Sequence, residues 1–234
     1  MGLYDREYAQ QGSQSFEQSN TRGDSQIITF VKETYKLFAA SMMAGAVGAY
    51  VGVPMADTIA SMFFPLFILE IGLLIGLHFV KHKPGINLLV MFSFVFMTGL
   101  MLAPLLARTL GMSGGGAIIG NAFAMTSLIF GAMSFYAIKT KTDFTTYTKP
   151  LMIALVVIVV FSVINMFMGS PLLAIGLSAA VVLLFSVLIV YDTQNIIAGA
   201  YETPIDGAIA LYLDFLNIFT ALLQLFGIFG NRDD

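Results

Sequence analysis

Two aspartates, Asp192 and Asp214, lie inside the last two long apolar segments of this 234-residue chain. A carboxylate surrounded by hydrocarbon is costly, and such residues are seldom retained without a function. Two carboxyl groups that meet in a low-dielectric setting cannot both ionise cheaply, so we expect this pair to share one proton. Loss of that proton would replace a hydrogen bond between two helices by repulsion or by a bound cation, which is how a pH sensor behaves.

Other polar side chains accompany the aspartates. Asn195 and Asn217 each follow an aspartate by three residues and therefore share its helix face. Amide and carboxylate oxygens are the ligands that Ca²⁺ prefers, which makes both asparagines candidate ion-binding residues. Glu70 is a third acid within an apolar segment, and Lys81 follows at the end of that segment. A purely structural alternative is that one aspartate caps its helix while the other pairs with Lys81 for assembly.

The composition is that of a membrane protein. The chain is 58% hydrophobic and 11% charged, against roughly 45–50% and 25% in soluble domains. Its long unbroken apolar runs indicate membrane-spanning helices rather than the alternating strands of a β-barrel. The absence of cysteine excludes disulfides and thiolate chemistry, and we expect neither a cofactor nor a resident metal. The net charge of −3 gives no support to nucleic-acid binding.

Seven apolar segments are each long enough to cross about 30 Å of hydrocarbon. Residues 1–26 are polar and rich in Gln and Ser, which predicts a disordered tail. Residues 27–234 are predicted to form a single all-α domain of seven transmembrane helices. The predicted segments are 33–54, 57–80, 86–108, 115–138, 150–168, 171–198 and 206–229.

Lys and Arg are distributed unevenly over the loops, which alternate between the two membrane faces. Nearly all of them lie near the N-terminus or after the second and fourth segments, while Arg108 and Arg232 lie on the opposite side. Because positive residues concentrate in cytoplasmic loops, we expect a cytoplasmic N-terminus and an external C-terminus. The alternative is six crossings and a re-entrant last segment, since that segment carries Asp214, Asn217 and Gln224.

The stretches that contain the two aspartates match a known pattern. Residues 189–194 (IVYDTQ) and 210–219 (ALYLDFLNIF) resemble the two signatures of the Bax inhibitor motif family, in its bacterial branch. Both occur in the expected order on the last two segments, and the seven-segment pattern extends the resemblance to nearly the whole chain. The resemblance implies two three-helix layers around a central C-terminal helix. It also implies a bacterial inner-membrane protein that acts as a pH-sensitive calcium leak.

The resemblance further implies roles for single residues. Asp192 and Asp214 are similar to the family's pH-sensing aspartyl pair, and Glu70 to an intramembrane glutamate that lines the pore. Lys81 stands where some members have an arginine that pairs with the aspartates, so it would supply the counter-charge of a closed-state latch. Lysine keeps that charge but lacks the bidentate fork of arginine.

Three functions compete. The leading one is a passive Ca²⁺ leak whose polar lumen includes Glu70, with Asn121 and Asn165 as further candidates. The alternative is a regulatory membrane protein that binds a membrane protease or another partner, with the tail as a candidate binding segment. An intramembrane aspartyl protease needs Gly-x-Gly-Asp at its second acid, whereas bulky residues precede Asp214 here. We therefore expect that the protein is not an enzyme.

Overall fold

The structure is a computed structural model, and all regular secondary structure in the part of the chain that it describes is helical. That part comprises the backbone of residues 3–230 and the side chains of residues 25–228. The tail predicted over residues 1–26 lies, except for its last two residues, outside the described side chains, and it stays a prediction. The helices are α1 (Leu3–Gly52), α2 (Ala56–Ser61), α3 (Phe63–Val80), α4 (Ile86–Leu110), α5 (Gly115–Lys139), α6 (Thr148–Met168), α7 (Pro171–Ile197) and α8 (Pro204–Gly230).

These helices form seven spans that are long and apolar enough to cross a membrane, which confirms the predicted number of transmembrane segments. The first span combines α1 and α2, and each of the other helices forms one span. The predicted segment 57–80 is interrupted at Met62, between α2 and α3. Pro65 explains the break, since proline has no N–H for the carbonyl of Ser61 and its ring would clash with that carbonyl in a continuous helix. Pro65 is tolerated in the first turn of α3, because the N–H groups of a first helical turn have no acceptor within the helix.

The helices form two layers with α8 between them. In the first layer α4 packs against both α1 and α3, and in the second layer α7 packs against both α5 and α6. α8 contacts α1, α4, α5 and α7 and is the most buried of the seven spans. The predicted arrangement of two three-helix layers around a central C-terminal helix is therefore confirmed. α8 is also unbroken over its length, so it is long and apolar enough to cross the membrane fully, which a re-entrant segment does not require.

Glycines allow α1 and α4 to approach each other at backbone distance. A Cβ atom on Gly99 of α4 would lie 2.0 Å from the carbonyl oxygen of Gly45 on α1. A Cβ atom on Gly48 would lie 2.2 Å from the carbonyl oxygen of Phe96. Small residues at a helix crossing permit this close contact in membranes, where van der Waals packing drives association. At this crossing α1 and α4 are thus in direct backbone contact.

Aromatic side chains fix the rotation of α8 about its own axis. The ring centroid of Phe215 lies 6.4 Å from that of Phe38 on α1 and 5.9 Å from that of Phe130 on α5. Phe38 and Phe130 stack on each other at 4.9 Å, which joins the two layers. Successive helical residues point about 100° apart. Packing Phe215 between α1 and α5 therefore turns its neighbour Asp214 toward α7.

Candidate functional site

The structure brings Asp192 and Asp214 together in the interior of the bundle. Asp192 lies in the last two turns of α7, and Asp214 lies ~15 Å along α8 from the first residue of that helix. Their carboxyl groups lie within hydrogen-bonding reach of each other, and the two residues are only 7% and 3% exposed. An ionised carboxylate has no proton to donate. A hydrogen bond between the two therefore requires that one of the carboxyl groups be protonated.

A tyrosine that the sequence analysis missed completes the contacts of the pair. The hydroxyl of Tyr201, in the loop between α7 and α8, donates a hydrogen bond to Oδ1 of Asp192 at 2.6 Å. Oδ2 of Asp214 is buried and has no hydrogen-bond partner among the described residues. A buried oxygen without a partner is far more costly on a charged carboxylate than on a neutral carboxyl group. The arrangement therefore favours an ionised Asp192 and a protonated Asp214.

The loop that carries Tyr201 is fixed at both ends by local backbone chemistry. Gly199 adopts a positive φ of 64°, a conformation that glycine reaches without strain. At the start of α8, Thr203 and Asp206 form a reciprocal cap in which each backbone N–H donates to the other side chain. Pro204 occupies the first helical position, where its missing N–H is not needed. The loop therefore holds a defined position above the aspartates.

Lys81 has different partners from those expected. Its ammonium nitrogen lies 2.9 Å from Oε2 of Glu202 and 3.6 Å from Oδ2 of Asp206, so the expected ion pair with the aspartates is not the one that forms. Both acids lie at the end of the bundle where α3 stops, whereas Asp192 and Asp214 are deeper and Asp192 is already covered by Tyr201. The sequence contains one signal for this pairing: Glu202 in the α7–α8 connection and Asp206 in the first turn of α8 lie on the same side as Lys81.

Charge pairing at this end shifts the titration of both partners. The hydrogen bond to Glu202 raises the pKa of Lys81 above its ordinary value. Hydrogen bonds from Lys81 and His82 lower the pKa of Glu202, and Nε2 of His82 lies 3.2 Å from its Oε2. The interactions that lower the pKa of Glu202 stabilise the fold above the ordinary glutamate pKa, and this contribution is lost as the pH falls through the lowered pKa. The interactions that raise the pKa of Lys81 stabilise the fold below the ordinary lysine pKa, and this contribution is lost as the pH rises through the raised pKa. The pair is therefore fully charged from about pH 5 to about pH 10.

Glu202→Gln is accordingly expected to lower the thermal midpoint at pH 7 by no more than about 3 °C, because the acid is largely solvent-exposed. The difference from wild type should shrink as the pH falls below about 4, and it should vanish once the pH is below the lowered pKa of Glu202, where the wild-type carboxyl is itself neutral. Unfolding in detergent, followed by circular dichroism, measures this, with Glu33→Gln on the exposed side of α1 as the control. An effect of the same size at pH 3 and pH 7 would contradict the charge assignment.

Glu70 and the two asparagines are not joined to the aspartates by any described hydrogen bond. Glu70 is half-buried on α3 and lies within electrostatic range of Tyr212, which is hydrogen-bonded to Thr98 and to the backbone of α4. Asn217 donates to the carbonyl of Leu213 on its own helix. For Asn195, the described hydrogen bonds use only the backbone carbonyl. Among the described residues, no group of three or more His, Asp or Glu side chains is placed to hold a metal ion.

A polar cavity of about 320 Å³ lies between α6, α7 and α8. Its polar wall residues are Ser162, Asn165, Ser178, Asn217, Thr220 and Gln224. A second cavity of about 410 Å³ shares Asn165 and Gln224 with it and extends to Arg108, at the end of α4 opposite the Tyr201 loop. Asn217 is one helical turn from Asp214. Polar space therefore reaches from one end of the bundle nearly to the aspartates, and Asn165 and Asn217 lie along it while Asn121 is exposed.

Comparisons with known proteins cover nearly the whole chain. A family model described as "Inhibitor of apoptosis-promoting Bax1" matches residues 28–231. An uncharacterized protein of Campylobacter jejuni is 47% identical, over 99% of this chain and 100% of the relative. An uncharacterized membrane protein of Vibrio cholerae is 33% identical, over 87% of this chain and 91% of the relative. The modulator of FtsH protease YccA of Escherichia coli is 31% identical over the same shares of the two chains.

Proposed function

The chain belongs to the Bax inhibitor-like family, and from that premise we propose that it is a pH-sensitive calcium leak channel. The gate is the proton that Asp192 and Asp214 share. The observation that carries this proposal is that two buried carboxyl groups on neighbouring helices lie within hydrogen-bonding reach of each other. We place the end of the bundle with Lys81 and the Tyr201 loop in the cytoplasm of a bacterial cell, at its inner membrane, as the distribution of Lys and Arg indicates.

Loss of the shared proton leaves two like charges in contact at a place from which water is largely excluded. Their repulsion is strong at low dielectric, and it acts directly between α7 and α8. α8 contacts both layers of the bundle, so a displacement of this helix changes packing on both sides at once. A packed core switches between discrete arrangements rather than deforming continuously. The protonation state of the pair can thus open or close a path along α8.

The path that we propose follows the polar cavities from Arg108 to Asn217. From there a wide, mainly apolar space of about 680 Å³ separates α6 from α3 and is lined by Asn217 and Phe67. Glu70 follows Phe67 by three residues and shares its helix face. The polar cavities have no acidic residue in their walls, and their charged residue is Arg108. Preference for cations therefore has to come from Glu70 and the aspartates.

Purified protein in liposomes loaded with a calcium dye tests the proposal. Wild type is expected to pass Ca²⁺ faster than empty liposomes, with a pH-dependent rate between about pH 6 and pH 8, where a buried carboxyl pair can titrate. Glu70→Gln is expected to lower the flux severalfold without moving the pH midpoint, because it removes a pore charge and leaves the pair intact. Glu70→Asp, which keeps the charge, should retain most of the flux. Equal flux in wild type and Glu70→Gln would remove Glu70 from the path.

A second candidate function is regulation of a membrane protease. It is favoured by the name of the Escherichia coli relative, a modulator of FtsH protease, which matches this chain over 87% of the chain's length. In this alternative the protein binds an FtsH-type protease and conducts nothing. Flux no greater than that of empty liposomes, together with direct binding to purified FtsH protease, would support it over the leak.

We propose no enzymatic activity for the aspartyl pair. Leu211 and Leu213 stand where the Gly-x-Gly-Asp pattern of a protease has its two glycines, and Leu211 is 0% exposed. These bulky side chains leave no room for the backbone of a substrate beside the acid. Asp192 is covered in turn by the Tyr201 hydroxyl.

A further inference from the structure

Tyr201 is the residue through which the α7–α8 loop reaches the aspartyl pair. The backbone N–H of Ala200 donates to the carbonyl of Asn195 at 2.9 Å, so the chain folds back over the end of α7. This turn, together with the positive φ of Gly199, directs the half-buried Tyr201 ring inward. Its hydroxyl then lies 2.6 Å from Oδ1 of Asp192. The backbone conformation of the loop therefore places the Tyr201 hydroxyl against Asp192.

Each hydrogen bond among Tyr201, Asp192 and Asp214 needs one proton, so the protonation state of each group decides which of them donates. Burial and the nearby Asp192 raise the pKa of Tyr201 above its ordinary value, so the phenol keeps its proton at every physiological pH. Asp192 therefore accepts at Oδ1. A carboxylate that accepts two hydrogen bonds, from Tyr201 and from Asp214, is stabilised in its ionised form. That leaves Asp214, whose other oxygen has no partner among the described residues, as the carboxyl group that holds the proton.

Other titratable groups near this end are occupied elsewhere or exposed. Glu202 pairs with Lys81 and His82, Asp206 with Thr203 and Lys81, and the hydroxyl of Tyr191 accepts from Thr148. Glu33 and Lys36 on α1, Lys139 on α5, and Lys149 on α6 are exposed. Among the described hydrogen bonds, Tyr201 is the one side chain besides the two aspartates that reaches the pair.

We propose that Tyr201 is a positioning residue of the proton-sharing site, which fixes Asp192 as the acceptor and Asp214 as the holder of the shared proton. It thereby sets the pH at which the pair releases that proton to solvent. The assignment of the proton does not require the protein to conduct. Only its consequence for gating rests on the proposed function.

Infrared spectroscopy of the purified protein in lipid tests the assignment without any measurement of flux. The carbonyl stretch of a protonated carboxyl group, followed from pH 5 to pH 9, is expected in wild type and absent in Asp214→Asn. Asp192→Asn should retain it, because Asp214 stays protonated. The opposite pattern, with the band lost in Asp192→Asn and kept in Asp214→Asn, would overturn the assignment.

Tyr201→Phe keeps the ring and removes the donor, so the charge of Asp192 is stabilised by the proton of Asp214 alone, and Asp214 holds that proton more tightly. We expect the infrared midpoint to rise by about 1–2 pH units. Tyr191→Phe is the matched control, since this hydroxyl contacts Thr148 instead of the pair, and it should leave the midpoint unchanged. If Tyr201→Phe does not fold, 3-fluorotyrosine in the wild-type chain replaces it: the stronger donor should lower the midpoint.

The outcomes separate this inference from the proposed function. An unchanged midpoint in Tyr201→Phe, or with 3-fluorotyrosine where the variant fails to fold, overturns the role of Tyr201 even if calcium flux is present. A shifted midpoint in a protein that passes no Ca²⁺ supports the role of Tyr201 and removes the leak.

Discussion

Asp214→Asn is expected to make calcium flux through the reconstituted protein independent of pH between about 6 and 8, the range in which a buried carboxyl pair can titrate. Asparagine keeps the size of the side chain and can still donate a hydrogen bond to Asp192, but it has no proton to lose. The repulsion that separates α7 from α8 at high pH then cannot develop. Flux should stay near the value that wild type shows with the pair protonated.

Asp192→Asn is expected to flatten the same curve, because a single remaining acid has no charged neighbour to repel. Asp143→Asn is the matched control. Asp143 is an exposed aspartate that caps the short helical turn before α6 and makes no described hydrogen bond to the pair, so its replacement should preserve the pH response. If wild type, both pair variants and the control gave the same pH curve, the aspartyl pair would not be the gate. The Lys81–Glu202 pair does not confuse this test, since it stays charged throughout the range.

Gly99→Ala is expected to cause the largest loss of stability of any conservative change in the first layer. The added Cβ would lie 2.0 Å from the carbonyl oxygen of Gly45, and the obstacle is backbone that no rotamer change can move. α1 and α4 would have to separate along their whole contact. Overpacking of this kind costs on the order of 3 kcal/mol. The measurement is the denaturant midpoint of the purified protein in detergent, read by helical circular dichroism.

Gly120→Ala on α5 is the matched control for that experiment. A Cβ atom at this position meets nothing within 4 Å, and alanine is the better helix former. Its unfolding midpoint should equal or slightly exceed that of wild type. A loss of similar size in both variants would show that the α1–α4 approach is not the reason for the glycine at position 99.

Two contacts at the predicted site differ from the expectation for one common reason, while the pH-sensing and pore roles of its residues stay predictions. The structure brings the two aspartates together, but Lys81 pairs with Glu202 and Asp206 instead of the aspartates. A lysine side chain is long and flexible, and several acids lie within its reach at one end of the bundle. Which of them it meets depends on where the α7–α8 loop is held. Hydropathy along the chain contains no information about that position, and for the same reason Tyr201 was missed.

Sequence alone determined the class of the protein, the number of its spans and the family to which it belongs. The class and the number of spans follow from length and polarity, because a chain in lipid must satisfy its backbone hydrogen bonds within each apolar segment. The family follows from the two motifs that contain the aspartates. Tertiary structure alone decided that the carboxyl groups touch and which hydroxyl joins them. Contact depends on the rotation and register of α7 and α8, which the packing of Phe215 against Phe38 and Phe130 fixes. Such packing joins residues far apart in the chain, and no local pattern encodes it.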